Sequence, residues 1–229
     1  SIPNSVSADE ASFAYNAYSI LKTGKDEFGH RYPLYFQSFD DYKNPVLVYV
    51  LVPFVALFGL SSWAIRLPSA ISGVLIIPLF YAITYQLTHK SRISVIACLF
   101  ACISPWLIQY SHVAIDIELA LLFALAGVWL YFVASQKPVL YIVASVMFAL
   151  SAYTYHSSRI WVVAFGFVLF LLFPPRSKYA LVGIGLLLIS FIPYALLLKN
   201  SQVALRPYAI SVFSNQEETN QAANLQLLD

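Results

Sequence analysis

Six apolar runs, each bounded by polar residues or proline, fill most of the sequence, at residues 64–88, 93–110, 115–135, 139–155, 158–173 and 179–198. A helix needs about 20 such residues to cross about 30 Å of hydrocarbon, and these runs approach that length. Inside a bilayer every backbone N–H and C=O must find its partner within the protein, which leaves only helices and closed barrels. No strand-like alternation of a barrel is present, so the runs predict an all-α polytopic membrane protein. With 60% hydrophobic and 10% charged residues among 229, and a mean hydropathy of +0.73, the chain lies outside the balance of soluble domains. Its net charge of +2 says little, because the placement of charge matters more than its sum in a membrane protein.

A seventh run, residues 45–61, contains Pro53 and ends near Gly59, so its length fits either a span or an interfacial helix. Charge placement separates the two readings. With six spans, the turns after the first, third and fifth carry Lys90, Arg92, Lys137, Arg176 and Lys178 without any acid, which marks that side as cytoplasmic. All the acids then lie on or near the other face: six in residues 1–44, Asp116, Glu118, and three in the tail. On this reading 45–61 lies along the outer leaflet. The expected organisation is a first extracytoplasmic loop over 1–63 with two membrane-parallel helices, about six transmembrane helices over 64–198, and the start of a further extracytoplasmic segment over 199–229. The chain has no initiating Met and stops in a polar stretch, and is read as a piece of a longer protein.

Ser7 and Glu10, three residues apart, match a capping box, and Gly24 supplies a helix stop, so residues 8–22 are expected as a helix. Ala11, Ala14, Tyr15, Tyr18 and Leu21 form its apolar stripe toward the membrane, and the segment from Asp26 to Pro45 is expected as loop. Cys98 and Cys102, four apart in an apolar run, are expected as small packing residues.

Ionisable groups near membrane depth are costly and point to function. Four places carry them: Asp9-Glu10; Asp40-Asp41-Tyr42-Lys43-Asn44-Pro45; His112 with Asp116 and Glu118; and Tyr155-His156 with Arg159. Each also has a structural reading, as a helix cap or a boundary cation whose charged end reaches water. Together, on one membrane face, they supply a carboxylate base for a hydroxyl and cations for a phosphate, the requirements of group transfer from a lipid phosphate. Lys43 offers a point charge and Arg159 a fork of donors for phosphate oxygens. The four histidines are scattered without metal-ligand spacing; a divalent cation held by acidic oxygens alone stays possible. Gly-rich phosphate loops are absent, which argues against a soluble nucleotide donor, and no nucleic-acid partner is expected.

The stretches SADEASFAYNAYSILKTGKDEFG, DDYKNPVLVYVLVPFVALFGLSSWAIRLPSAISG, SPWLIQYSHVAIDIELALLF and AYTYHSSRIW resemble the bacterial members of the dolichyl-phosphate-mannose protein mannosyltransferase superfamily, which includes aminoarabinose transferases. The resemblance implies a type C glycosyltransferase fold, with Asp9 as the base toward the acceptor, Glu10 as its catalytic companion, and Lys43 in Lys43-Asn44-Pro45 as a donor-phosphate ligand. Asp116 matches a second acid at an outer helix end. His112 stands where close members show Arg, which removes one cation. Arg159 in YHSSR resembles a further phosphate-side position, with His156 and Tyr42 in support. No cofactor is required. Full members are about twice as long and begin with a span before the loop, so the first span and the C-terminal half are expected to be missing here.

The function expected is therefore inverting transfer of a sugar from a polyprenyl phosphate to a hydroxyl of a protein or an envelope glycan or lipid. The expected setting is the extracytoplasmic face of a bacterial plasma membrane. A lipid or glycan transporter is the main alternative, because buried charge beside a lipid groove also serves transport. A non-catalytic membrane subunit is the third.

Overall fold

The computed structural model describes residues 6–38, 41–175 and 177–197. Asp40, Arg176 and the whole 199–229 segment, with its three acids, lie outside the described residues.

The capping box forms as the sequence predicts. Ser7 Oγ accepts from the Glu10 N–H at 3.2 Å and Glu10 Oε2 accepts from the Ser7 N–H at 2.9 Å, starting α1 over Ala8–Thr23. Gly24 ends it in the left-handed region, at φ 67°, where glycine alone has no Cβ penalty. The stripe of Tyr15, Tyr18 and Leu21 is exposed, while a second row of Phe13, Ala14, Ala17 and Ile20 is buried. The helix thus has two apolar faces, one packed on protein and one open.

The segment expected as loop contains a short antiparallel pair, β1 (Phe36–Ser38) and β2 (Asp41–Lys43), with Phe36 opposite Lys43 and Gln37 opposite Tyr42. Phe36, buried against the face of α2 with its ring 5.6 Å from Tyr49, anchors the pair. Helix α2 covers Pro45–Phe58, with Pro45 at its first turn, where the missing N–H costs nothing. It packs along α1 and touches α3 (Ser62–Thr88).

Beyond α3 come α4 (Ser91–Cys102), α5 (Pro105–Ser111), α6 (Asp116–Val133), α7 (Leu140–Thr154), α8 (Ser158–Leu172), α9 (Lys178–Ser190) and α10 (Ile192–Leu197). Helix α6 lies between α3 and α7, α4 packs on α3, and α8 and α9 both pack on α7. Gly183 lets α9 approach closely: a Cβ there would sit 2.8 Å from the Tyr141 carbonyl oxygen of α7. Large apolar side chains such as Val74, Trp106, Phe167, Leu172, Leu181 and Leu188 face outward, as they do when lipid is the solvent. The chain is an all-α polytopic membrane protein apart from the antiparallel pair of three-residue strands β1 and β2.

Three described helices are long and apolar enough to cross a membrane, at Ser62–Thr88, Asp116–Val133 and Lys178–Leu196. The run expected as one helix over 93–110 is broken: α4 and α5 meet at 57°. Pro105 explains the break, since its ring clashes with a helical preceding residue and it offers no N–H to the turn before. Counted as one bent span, this pair makes four. Helices α7 and α8, at 15 residues each, rise about 22 Å and are shorter than the runs they were read from. Cys98 and Cys102 are free thiols, with Cys98 Sγ against the Ile77 carbonyl at 3.2 Å.

Candidate active site

The residue before a proline is pushed toward extended backbone, and Asn44 adopts φ −70° and ψ 150° before Pro45. Along extended chain successive side chains point to opposite sides. Lys43 and Asn44 accordingly fork, Lys43 toward α1 and Asn44 toward α8.

On one side of the fork, Lys43 Nζ donates to Asp9 Oδ1 at 2.8 Å and to the Asp9 carbonyl at 3.3 Å. The lysine is buried, its ammonium 4.5 Å from the centre of the Phe13 ring, whereas the Asp9 side chain is 71% exposed. Asp9 therefore faces both Lys43 and open space, the position a base needs to meet an incoming group.

Glu10, expected beside Asp9 as its companion, has partners on both oxygens. Its Oε1 accepts from Arg66 Nε at 2.7 Å and the Ala114 N–H at 2.9 Å, and its Oε2 from Arg66 Nη2 at 2.9 Å and the Ser7 N–H. Burial alone would push its carboxyl up, but the Arg66 bond, the two backbone N–H donors and the Arg66 charge together bring it down to about 2. With both oxygens occupied, this buried carboxylate ties α1 to α3 and to the loop before α6. Arg66 was missed in the sequence reading. Its signal was present, as the sole charged residue between positions 45 and 88, where a cation at membrane depth demands a partner.

On the other side of the fork, Arg159 is buried at the start of α8. Its Nε donates to the Ala152 carbonyl at 3.1 Å, its Nη2 to Asn44 Oδ1 at 2.5 Å and to the Tyr35 hydroxyl at 3.2 Å, and its plane lies 4.0 Å from the Tyr194 ring centre. Nη1 lies 3.1 Å from His156 Nδ1. A guanidinium only donates, so Nδ1 accepts and Nε2 carries the proton, which it gives to the Tyr42 carbonyl at 3.2 Å. Burial, partly offset by Arg159, pushes the Tyr35 hydroxyl up to about 12, so it stays neutral. His156 and the Tyr42 backbone lie beside Arg159, together with Asn44, Tyr35 and Tyr194, which the sequence reading did not single out.

His112 stands apart from both groups. His112 caps α5, its Nδ1 bonded to the Ile108 carbonyl at 2.6 Å and lying 3.3 Å from Ser111 Oγ, and its exposed ring borders a groove between α3 and the α4–α5 bend. Asp116 opens α6 half-buried, and the loop before it is tied to α1 through the Ala114 N–H on Glu10. Glu118 is buried, with Oε1 unpartnered and packed against Gly73. Among the described residues no three His, Cys, Asp or Glu side chains converge as a metal centre.

No curated protein and no solved structure matches the chain. The sequence model of one family, described as dolichyl-phosphate-mannose-protein mannosyltransferase, matches residues 42–197; that stretch holds Lys43, Arg66, Asp116 and Arg159, and Asp9 lies before it.

Proposed function

The chain belongs to the dolichyl-phosphate-mannose-protein mannosyltransferase family, membrane glycosyltransferases that use a polyprenyl-phosphate sugar, and from that premise we propose that Asp9 is the base of an inverting transfer. Asp9 takes the proton of an acceptor hydroxyl as that oxygen attacks the anomeric carbon. The bond from this carbon to the donor phosphate oxygen breaks on the opposite face, and its electron pair leaves with the phosphate. Lys43, with Arg159 on the other side of the fork, offsets the charge that gathers there. The acceptor is a hydroxyl of a protein or an envelope glycan or lipid, and no cofactor is invoked. The site faces the extracytoplasmic side of a bacterial plasma membrane, between the first loop over 1–63 and about six spans over 64–198.

The observation that supports this reading is the 2.8 Å contact between exposed Asp9 and buried Lys43, an acid open to solvent held by a cation. Full-length protein in liposomes with polyprenyl-phosphate sugars should release lipid phosphate in the presence of acceptor. Asp9→Asn should lower that rate by about 100-fold or more. Undiminished transfer by the variant removes Asp9 as the base.

The bend between α4 and α5 favours a second reading, since interrupted spans also occur in transporters. Lipid scrambling in the same liposomes without sugar transfer would support it.

A further inference from the structure

The end of the bundle away from Asp9 carries positive charge and no acid. The turns that follow α3, α6 and α8 bring Lys90 and Arg92, Lys137, and Lys178 there. All four are exposed, and none makes an ion pair among the described residues. Every described carboxylate lies on α1, between α1 and α2, or in the first turn of α6. Gln86, near the end of α3, is about 30 Å along that helix from the Arg66 that holds Glu10. A crevice of about 560 Å³ opens where the three turns meet. His89 at the end of α3, Gln136 after α6 and Pro174 after α8 border it, and Lys90 and Lys137 follow the first two in sequence.

Beside the crevice is an apolar pocket of about 360 Å³, between α8 and α9 where both pack on α7. Tyr131 and Tyr141 border both spaces, with their rings 5.3 Å apart and edge to face. Of two adjacent prolines, Pro174 borders the crevice and Pro175 the pocket. The Tyr131 hydroxyl donates to the carbonyl of Phe173, a crevice residue, at 2.9 Å. Tyrosines placed where apolar surroundings give way to polar ones are the pattern of the membrane–water interface. From that boundary the pocket follows α8 from Phe170 to Val162, about 12 Å. Its rim is open: Val163, Phe167 and Leu188 are exposed, and nothing lies within 4 Å of where a Cβ would stand on Gly166.

An acid-free crevice rimmed by cations, joined across a tyrosine boundary to an apolar slot, fits an amphiphile with a negative head. We propose that the two spaces together hold an anionic phospholipid of the bilayer, with one acyl chain between α8 and α9 and the phosphodiester in the crevice. Lys90 and Lys137 attract the head, and Gln86, His89 and Gln136 offer hydrogen-bond partners to its oxygens. Tyr131 and Tyr141 stand at the level of the glycerol. This goes beyond the proposed function and does not rest on it, because Asp9, Lys43 and Arg159 are all at the other end of the bundle. The lipid's work is packing: its chain fills the gap that α8 and α9 leave between them, and its head offsets the repulsion among three like-charged turns.

The test uses the full-length protein, stripped of lipid in detergent, with dioleoyl phosphatidylglycerol and dioleoyl phosphatidylcholine as probes. In native mass spectrometry wild type should retain one phosphatidylglycerol over phosphatidylcholine by about tenfold or more, the scale of two lysines beside one anionic head. Phosphatidylglycerol should also raise the thermal midpoint more than phosphatidylcholine does. The double variant Lys90→Gln with Lys137→Gln, both exposed positions, should lose the preference between the two lipids. Gly166→Phe puts a ring into the slot of the chain and should lower retention of both lipids, whereas Ile71→Phe, on an exposed face of α3, should behave as wild type. If Gly166→Phe does not fold, wild type and the lysine variant decide the matter. Equal retention of the two lipids by wild type, an undiminished preference in the lysine variant, or undiminished retention in folded Gly166→Phe overturns the assignment. So does stronger displacement of bound phosphatidylglycerol by a polyprenyl monophosphate than by phosphatidylglycerol itself. Sugar transfer is not read in any of these measurements, so loss of this site leaves the proposed function standing.

Discussion

At the level of single residues, the two adjacent acids divide their work because their surroundings differ. Asp9 is held by one lysine and open to solvent, whereas Glu10 has donors on both oxygens and is closed off. The capping partnership of Ser7 and Glu10 was legible because its three-residue spacing is local. The partners that decide the role of Glu10 are 56 and 104 residues away, and no local pattern encodes such a meeting. Removing Arg66 strands a buried carboxylate, so Arg66→Met should cost about 3–5 kcal/mol. The double variant Glu10→Gln with Arg66→Met should cost much less than the sum of the two single changes, read from thermal unfolding in detergent. The pair also sets an acid limit. The folded Glu10 carboxyl sits near 2, below its ordinary 4.5, so its contribution is complete above about 4.5 and is lost as pH falls through about 2. Hydrogen exchange across Ala8–Thr23 should accelerate over that interval in wild type and show no such step in Glu10→Gln, which is already loosened at neutral pH.

Among the elements, helix ends were more legible than helix continuity. Gly24, Pro45 and the polar turns announced where helices start and stop, because their backbone preferences are local. Pro68 and Pro78 lie within the unbroken α3, whereas the chain breaks before Pro105, so proline alone did not forecast which run would break. The strands β1 and β2 were unreadable because Phe36 owes its burial to α2, a tertiary contact. Close helix approach is equally invisible in sequence until a facing atom is known. Gly183 meets the Tyr141 carbonyl and Ser145 of α7, whereas Gly166 of α8 has open space where its Cβ would be. Gly183→Ala should therefore push α9 off α7 and lower stability by about 1–3 kcal/mol, while Gly166→Ala should be neutral or slightly stabilising. Thermal unfolding of the two variants side by side checks this, and equal behaviour would contradict the packing described for α7 and α9.

For the molecule as a whole, the decisive question is which side of the membrane α1 lies on, because that fixes where sugar transfer happens. Helix α2 settles it if it does not cross. At 14 residues it rises about 21 Å, close to the about 22 Å of α7 and α8, so its length alone does not separate a span from an interfacial helix. Its buried face is shared between α1 on one side and α3 and α7 on the other. If α2 lies along the interface, as proposed above, the acid-free turns lie at the far end of the bundle from it. Were α2 a span, Lys25 and Ser135 would lie on the same side of the membrane; with α2 at the interface they lie on opposite sides. Both positions are exposed. In a background with Cys98→Ser and Cys102→Ser, Lys25→Cys should react with an impermeant maleimide on intact cells, and Ser135→Cys only after permeabilisation. Protection of both positions in intact cells would put Asp9 in the cytoplasm and withdraw the extracytoplasmic reaction, while leaving the Asp9–Lys43 geometry as it is.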